Sequence, residues 1–281
     1  MYPLVTPYRI GGKPTEVVHL PGLAAATIAA PPDFAWSAPP AELVLAAGDV
    51  HLWRAPLVAD EIQLAQFRET LCAGERDRAS RFHFAKGQRE FIAARAILRI
   101  LLGRYTGQPP DRLRFGYGAK GKPFLDERQS EPSVRFNLSH SDGLALYAFS
   151  RGREVGVDVE CVRPSFSDDR IAEQFFSARE AAAIRALPAH RRPHSFLALW
   201  TAKEAWLKAK GAGLGDPWEE FEVSLRPPGD PVLTRRAGPS QPEQQWSFRS
   251  FPPAPGYMGA LVVQGTGATL HCWDWPESAP Q

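Results

Sequence analysis

Cysteine is scarce in this sequence, with three residues in 281, and no two of them form a Cys-x-x-Cys pair. Cys72, Cys161 and Cys272 are far apart and odd in number, so the pattern predicts neither a zinc site nor a disulfide framework. Reduced, inert thiols are typical of proteins in a reducing compartment. We therefore predict a cytoplasmic protein.

Long apolar runs and a strong charge excess are also missing. No run approaches the roughly 20 residues that a membrane span needs. The short apolar stretch 22–30 follows Pro21 without a basic lead-in, unlike a signal peptide. The formal net charge of +2 is too balanced to predict nonspecific binding to nucleic acid. The composition, 44% hydrophobic and 23% charged, predicts a globular protein with neither a membrane nor a nucleic-acid partner.

Two common phosphate-binding fingerprints are absent as well. The sequence has no GxxxxGK[ST] loop, and no GxGxxG follows a predicted strand. Residues 68–104 nevertheless carry nine Lys and Arg against four acids. This segment is either a solvated helix face, with arginine stems covering apolar surface, or a surface that binds anions or an acidic partner.

The chain divides into an extension and two similar halves. The first ~45 residues are rich in Pro and Ala and weakly periodic. In the first half, periodicity predicts a strand at 49–57, helices at 60–73 and 75–106, and strands at 134–140 and 144–150 around a Ser-Asp-Gly turn. In the second half it predicts a strand at 154–160, helices at 168–187 and 194–210, and antiparallel strands at 221–225, 246–251, 258–264 and 269–275.

This repeated order predicts an α+β fold of two similar lobes in tandem, related by a pseudo-twofold axis. Each lobe is expected to be a small antiparallel sheet packed with helices. We place the N-terminal extension at 1–45, the N-terminal lobe at 46–151 and the C-terminal lobe at 152–281. Sites commonly form in the groove between two such lobes.

The stretch Gly-Val-Asp-Val-Glu at 156–160 puts two acids into an otherwise buried strand. Side chains alternate across a strand, so Asp158 and Glu160 share one face while the valines take the other. Like charges held side by side repel each other unless a cation lies between them. An arginine partner and a metal ion both meet this requirement, and the strand alone does not distinguish them.

A third acid lies in a later helical segment, where Glu204 and Lys208 are spaced by four and share a face. Alone, this pair is typical of an exposed ion pair. With Asp158 and Glu160, however, Glu204 completes three hard oxygen ligands, with no His or Cys nearby in sequence. This set suits Mg²⁺ or Mn²⁺ rather than zinc. Magnesium held by few carboxylates usually takes phosphate oxygens from a substrate, so we predict a site that handles phosphate.

Candidates for further phosphate-binding residues lie in the first half of the chain. "GAKGKP" (118–123) offers Lys122 in a flexible loop, and "NLSHS" (137–141) offers Ser139 and His140 at a strand end. Each has an ordinary alternative. Lys122 is also explained as a solvated turn residue, and His140 as a structural histidine.

Several of these motifs occur in a characteristic order: "GKP" (121–123), "FNLSHS" (136–141), "GVDVE" (156–160), "FFSARE" (175–180) and "WTAKEAWLKAKGAGL" (200–214). In this order and spacing, they resemble the motif series of the 4′-phosphopantetheinyl transferases of the surfactin-synthetase-activating type. "RASRFHF" (78–84) with its following helix also fits. The resemblance covers about 75–265, nearly the whole chain beyond the extension.

The resemblance implies a monomer of two similar lobes with a coenzyme A (CoA) site between them. It implies transfer of 4′-phosphopantetheine from CoA to a serine of an apo acyl, peptidyl or aryl carrier domain, with release of adenosine 3′,5′-bisphosphate. Magnesium is the expected metal, and manganese is expected to substitute for it. Carrier domains of polyketide and nonribosomal peptide synthetases are the expected partners.

The resemblance also assigns roles to individual residues. The metal ligands are Asp158, Glu160 and Glu204. The catalytic residues are Glu204 and Lys208. The CoA-binding residues are Arg78, Lys122, Ser139, His140, Asp158 and Lys203. Beyond the resemblance, we expect either Glu204 itself or a water that it orients to remove the proton of the carrier serine, and the sequence leaves both open.

One departure from the family pattern bears on the CoA 3′-phosphate. Three positions before Arg78, where many relatives have a basic residue, this chain has Glu75, with Arg76 beside it. In the same basic region, Arg95 and Arg99 are candidates for contacting an acidic carrier, and "FFSARE" is a candidate apolar contact. Two other functions fit the acids: a Mg²⁺-dependent phosphodiesterase or nuclease, and a non-catalytic protein that binds CoA or carrier domains.

Overall fold

The computed structural model describes residues 34–126, 134–162, 175–211, 222–226, 230–234 and 246–276. Most of the predicted extension 1–45 and part of the predicted helix 168–187 lie outside these ranges. Within them, no helix is long and apolar enough to cross a membrane.

Two runs of elements make up the described chain. The first contains β1 (Asp49–Pro56), α1 (Glu61–Thr70), α2 (Ala73–Ser80), α3 (Ala85–Thr106), β2 (Phe115–Tyr117), β3 (Pro123–Leu125), β4 (Val134–Ser141) and β5 (Leu144–Arg151). The second contains β6 (Val155–Cys161), α4 (Ala178–Ala186), α5 (Arg192–Lys210), β7 (Glu222–Arg226), β8 (Asp230–Thr234), β9 (Trp246–Phe251), β10 (Tyr257–Gln264) and β11 (Thr269–Asp274). The predicted α+β class is confirmed.

The helix predicted at 75–106 is two helices in the structure. It breaks between Ser80 and Ala85, where Phe84 adopts an extended conformation as the residue that precedes α3. The ring of Phe82, inside this break, lies 5.3 Å from the ring of Phe91 on α3. Residues 81–84 contain neither proline nor glycine, so the usual signals of a helix break did not reveal it.

The predicted turn between β4 and β5 is confirmed. Asp142 has φ 42° and Gly143 has φ 90°, so both central residues are in the left-handed region. Two-residue hairpins favour this conformation because its twist matches that of the strands, and Asp-Gly adopts it readily.

The strands form two principal sheets. The order in the larger sheet is β11-β1-β5-β4, and in the smaller one it is β6-β10-β9. All neighbours are antiparallel except β1 and β11, which are parallel, with Asp49 opposite Thr269. The last strand therefore leaves the predicted lobe 152–281 and joins the sheet of the first lobe. The sequence predicted an antiparallel strand there because alternation does not identify a strand's neighbour.

The edge strands β4 and β6 of the two sheets are joined through side chains. Asn137 Oδ1 accepts a hydrogen bond from the Val157 amide at 2.9 Å. Two and four residues further along β4, Ser139 and Ser141 bond to acids of β6. Because side chains two apart on a strand share a face, β4 presents a row of polar groups to β6. Through this row, the sheet of the first lobe contacts β6, the strand that carries Asp158 and Glu160.

Candidate active site

A glycine allows helix α5 to lie directly on strand β6. A Cβ added at Gly156 would lie 2.0 Å from the Ala205 carbonyl oxygen and 2.5 Å from the Ala209 amide nitrogen. Real Cβ atoms do not approach backbone so closely, so only glycine fits. The close contact brings the helix face with Glu204 and Lys208 over the strand that carries Asp158.

Three elements converge on Asp158, which is 2% exposed. Lys208 Nζ, from α5, lies 2.6 Å from Asp158 Oδ1. Ser139 Oγ, from β4, donates to the same oxygen at 2.7 Å and accepts from Lys208 Nζ at 2.9 Å. The cation that neutralises Asp158 in the structure is therefore a lysine of the predicted site.

Two carboxylate oxygens of the site lack partners. Asp158 Oδ2 and Glu204 Oε1 are buried and accept no hydrogen bond within the described part of the chain. A buried unpartnered carboxylate oxygen is costly, and a bound cation would satisfy it. These two oxygens are therefore suited to hold a divalent ion.

The environment of Glu204 is unfavourable to its charge. Burial, followed by the negative charge of Asp158 and more weakly that of Glu160, raises the pKa of Glu204 to about 7, while Lys208 acts in the opposite direction. Glu160 itself is half-buried, and its Oε2 accepts from Ser141 Oγ at 2.8 Å. The three acids are close enough to repel one another, which is the electrostatic condition that a cation relieves.

The three acids are not a closed ligand set in this structure. Among the described residues, one group of His, Cys, Asp or Glu side chains has three ligand atoms within 4.8 Å of one another. This group is Asp49, His51 and His271, and it does not include the acids of β6 and α5. An open arrangement is expected of a Mg²⁺ site that also takes substrate and water oxygens.

His140 lies beside Ser139 at the end of β4 and is exposed. Partial burial of the ring lowers its pKa, Lys208 lowers it further, and Glu90 opposes both. An imidazole next to an ammonium group is thus mostly neutral near pH 7 and is able to donate a hydrogen bond to an anion.

The structure places two of the predicted CoA-binding lysines in structural contacts. Lys203 is 1% exposed, and its Nζ pairs with Glu180 Oε2 at 2.9 Å, so it does not face an open phosphate site. Lys122 Nζ donates to Glu154 Oε2 at 2.9 Å and to the Ala209 carbonyl at 2.9 Å. Lys122 thus stabilises the C-terminal end of α5, where a cation complements the helix dipole.

The basic segment 68–104 turns out to contain a buried ion-pair cluster. Glu75 is 5% exposed and accepts from Arg95 Nε at 2.9 Å and Arg99 Nε at 2.6 Å. The proposed carrier contact of these two arginines is wrong, because Arg95 is 8% and Arg99 1% exposed. Arg78 is exposed on α2, with its guanidinium 5.3 Å from the Phe91 ring. It is therefore available to an anion.

Similarity to known proteins covers the elements that form this site. A family model described as "4'-phosphopantetheinyl transferase superfamily" matches residues 154–262, and one described as "4'-phosphopantetheinyl transferase, N-terminal" matches residues 58–151. The 4'-phosphopantetheinyl transferase HetI of Nostoc sp. is 38% identical over 240 residues, which cover 85% of this chain and 98% of that protein. This chain belongs to the 4′-phosphopantetheinyl transferase superfamily.

The transferase is also similar to the 4'-phosphopantetheinyl transferase psf-1 of Bacillus pumilus, with 31% identity over 209 residues that cover 74% of this chain and 85% of that protein. A solved holo-(acyl-carrier-protein) synthase from Bacillus anthracis, in complex with CoA (3',5'-ADP), is 22% identical with a TM-score of 0.34, covering 40% of this chain and 96% of that one. Family membership makes this protein an enzyme that transfers phosphopantetheine from CoA to carrier proteins. It favours the transferase over the phosphodiesterase and the non-catalytic alternatives.

Sequence reasoning did not single out three polar residues that shape the transferase site. Asn137 and Ser141 bracket Ser139 on the face of β4 that contacts β6. Glu180 holds Lys203 and also caps α4 through Ser177. The alternation of Asn, Ser and Ser at 137, 139 and 141 was the available signal for the first two, whereas the signals for Glu180 were its capping spacing and its place at the end of the "FFSARE" motif.

Proposed function

We propose that this transferase moves the 4′-phosphopantetheine group of CoA to the serine hydroxyl of apo acyl or peptidyl carrier domains in a Mg²⁺-dependent reaction that releases adenosine 3′,5′-bisphosphate. The observation that carries the proposal is the meeting of Asp158, Glu204 and Lys208, with one buried, unpartnered oxygen on each carboxylate. Such oxygens are costly unless a cation satisfies them, which supports a metal-dependent reaction at the diphosphate of CoA.

Asp158, Glu160 and Glu204 would hold the metal. Their oxygens are hard ligands, and the unpartnered Asp158 Oδ2 and Glu204 Oε1 fit a cation that is also shared with a substrate phosphate. When bound, Mg²⁺, or Mn²⁺ in its place, would neutralise negative charge on the diphosphate of CoA.

Glu204 is our candidate for the group that receives the proton of the carrier serine. In the metal-free site, burial and the neighbouring acids raise the pKa of Glu204 to about 7, so this carboxylate takes up a proton more readily than an ordinary glutamate. If Oε1 holds the metal, the other oxygen of the Glu204 carboxylate would accept the proton, either from the serine hydroxyl or from a water that it orients. The serine oxygen would then attack the β-phosphorus in line with the departing nucleotide.

Lys208 and His140 are proposed to stabilise the departing adenosine 3′,5′-bisphosphate. The Lys208 ammonium is held by Asp158 and Ser139, so its position is set before the substrate arrives. His140 projects from the same strand end and is exposed. Arg78 is retained as a contact for the 3′-phosphate because it is exposed, while Lys203 and Lys122 support the helix that presents Glu204.

For the carrier, we propose domains of polyketide and nonribosomal peptide synthetases, recognised by a monomeric transferase. The support is the two-lobed form, with its two principal sheets. Incubation of a panel of apo carrier domains, from secondary-metabolite synthetases and from fatty acid synthesis, would reveal this preference as a difference in kcat/KM.

Intact-mass spectrometry of an apo carrier incubated with the protein, CoA and Mg²⁺ tests the reaction. We expect a gain of one phosphopantetheine group, which is lost after chelation and restored by Mg²⁺ or Mn²⁺. Asp158→Ala and Glu160→Ala should reduce the rate by at least 100-fold, on the order of the loss of about 3 kcal/mol of transition-state stabilisation. The exposed acid variant Glu69→Ala is the matched control. Retained transfer in Asp158→Ala would refute the metal assignment.

A further inference from the structure

A second cluster of side chains that could ligate a metal lies on the paired strands β1 and β11 of the larger sheet. β1 and β11 pair in parallel with His51 opposite His271 and Asp49 opposite Thr269. Residues two apart on a strand share a face. Asp49, His51 and His271 therefore meet, and their ligand atoms all lie within 4.8 Å of one another.

This cluster is separate from the acids of the transferase site. His51 pairs with Phe149 of β5, whereas Ser139 pairs with Leu146, which in turn pairs with Arg54. His51 thus lies three residues, or about 10 Å, from the level of Ser139 along the strand direction. The cluster on β1 and β11 is also two to three strands away from β4 across the sheet. A single metal ion at one location is therefore too far from the other to share its ligands.

The spacing of the donor atoms fits a transition metal. His271 Nε2 lies 3.6 Å from Asp49 Oδ1. Two ligands at about 2.0–2.1 Å from a tetrahedral ion are about 3.3 Å apart, so a small side-chain adjustment suffices. The Oδ2 atom of Asp49 accepts from the Ala46 amide at 3.3 Å, which orients the carboxylate.

His51 is already oriented by contacts of the kind that support metal ligands. It is 1% exposed, and its Nδ1 lies 2.8 Å from the hydroxyl of Tyr105. Trp53 Nε1 donates to the same hydroxyl at 2.9 Å. The Tyr105 oxygen has two lone pairs and is able to accept from both. With Nδ1 engaged in this way, Nε2 is the nitrogen left for a ligand, as in most metal-bound histidines.

We propose that Asp49, His51 and His271 bind a divalent transition-metal ion, with Zn²⁺ the best fit and water in the remaining position. Two imidazole nitrogens and one carboxylate oxygen suit zinc and its neighbours, whereas Mg²⁺ prefers oxygen ligands and would remain at the acids. The His271 side chain is 40% exposed and that of Asp49 22%, so an ion reaches the cluster from solvent.

The bound ion would fasten the last strand to the first. β11 contributes one ligand and β1 two, so binding requires the parallel pair that returns the end of the second lobe to the first sheet. An ion that binds only the folded chain raises its stability by mass action.

Untagged, chelator-treated protein titrated with Zn²⁺ tests this inference. We expect one ion per chain by calorimetry, a rise in Tm, and visible absorption bands of a low-coordinate site when Co²⁺ replaces Zn²⁺. His271→Ala and Asp49→Ala should weaken binding at least tenfold and abolish the rise in Tm. His190→Ala, at an exposed histidine outside the cluster, should behave as the parent protein.

Tyr105→Phe tests the orienting contact separately, since it removes the hydroxyl and keeps the ring; we expect about 10-fold weaker binding. Transfer activity measured with Mg²⁺ should stay at the parent level in His271→Ala, which shows that the variant is folded. Failure to bind Zn²⁺, or binding unchanged in both His271→Ala and Asp49→Ala, would overturn the inference.

Discussion

At the scale of single residues, the same carboxyl group behaves differently in two buried environments. Burial alone would raise the pKa of Glu75, but the adjacent Arg95 and Arg99 outweigh it, so the pKa is lowered. At Glu204, burial and the neighbouring acids act together, and the pKa rises to about 7. The first residue stabilises the fold, whereas the second carries an unfavourable charge at the proposed site of reaction.

Glu204→Gln is expected to stabilise the metal-free protein while abolishing transfer. Because the pKa of Glu204 is about 7 in the folded state and near 4.5 in the unfolded state, the folded state binds more protons between these values. Stability therefore falls as pH rises from 4.5 to 7, and the full penalty is present above 7. Removing the charge should recover roughly 1–3 kcal/mol at pH 8, allowing for solvent screening.

Thermal unfolding in the presence of a chelator, at pH 5 and pH 8, measures this difference. The variant should gain several degrees in Tm at pH 8 and little at pH 5. An equal gain at both values would show that the effect is unrelated to ionisation. Glu69→Gln, at an exposed position on α1, controls for the loss of one negative charge.

Glu75→Gln should have the opposite effect. It leaves Arg95 and Arg99 buried without a full counter-charge, and breaking a buried pair in this way costs about 3–5 kcal/mol. The pKa of Glu75 is lower in the folded state than its usual value of 4.5 in the unfolded state. The ionised Glu75 side chain therefore contributes its full stabilisation above pH 4.5, and this stabilisation is lost as the pH falls through the pKa of the folded state. Urea unfolding at pH 7 and pH 4 should show a smaller difference between variant and parent in acid, and a loss under 1 kcal/mol at pH 7 would contradict this account.

At the scale of elements, the contact between strand β6 and helix α5 decides the geometry of the site. Gly156 allows the contact, and α5 presents Glu204 and Lys208 at the candidate site. Lys203 and Glu180 hold the other side of the helix through a buried ion pair. The helix is thus held at two places, as expected of an element that would place the proposed catalytic side chain accurately.

Gly156→Ala is expected to lower both stability and transfer. The added Cβ would lie 2.0 Å from the Ala205 carbonyl oxygen, a backbone atom, so the helix must move. Overpacking of this kind costs about 1–3 kcal/mol or more, and a shift of about 1 Å in Glu204 reduces the rate by about 100-fold. Urea unfolding and initial transfer rates measure the two effects. Gly74→Ala, where the new Cβ meets nothing within 4 Å, is the control and should be neutral or slightly stabilising.

At the scale of the whole molecule, contacts distant in sequence hold the two sheets together. β11 returns to β1, and Arg54 Nε pairs with Asp274 Oδ1 across these strands at 2.6 Å. On the other side, the polar row of β4 meets β6. With both connections, the sheets are expected to unfold as one cooperative unit.

Asn137→Ala tests the second connection. Asn137 is the single asparagine of the sequence, and it is 5% exposed. Its removal leaves the buried Val157 amide without its acceptor, which costs about 1–3 kcal/mol. We expect this loss in urea unfolding, together with slower transfer, because Ser139 and Asp158 lie next along the same contact. Ser80→Ala, which removes an exposed hydroxyl, is the control, and an unchanged unfolding free energy in Asn137→Ala would contradict the proposed connection.

The sequence by itself determined the α+β class, most of the strands, the turn at Asp142 and Gly143, and the identity of the acids at 158, 160 and 204. These follow from local rules: periodicity, turn chemistry and the alternation of side chains along a strand. The resemblance in ordered motifs indicated the enzyme class for the same reason, since it depends on residue types at fixed spacings.

Only the tertiary structure decided which charges are paired. Arg95 and Arg99 look like surface residues in the sequence, yet Glu75 holds them in the interior, and Lys203, next to Glu204 in the sequence, is buried in an ion pair with Glu180. The parallel pairing of β11 with β1 likewise could not be predicted from the sequence. Local patterns record how a residue is oriented on its own element, whereas burial and pairing depend on segments that are distant in the chain and meet only when it folds.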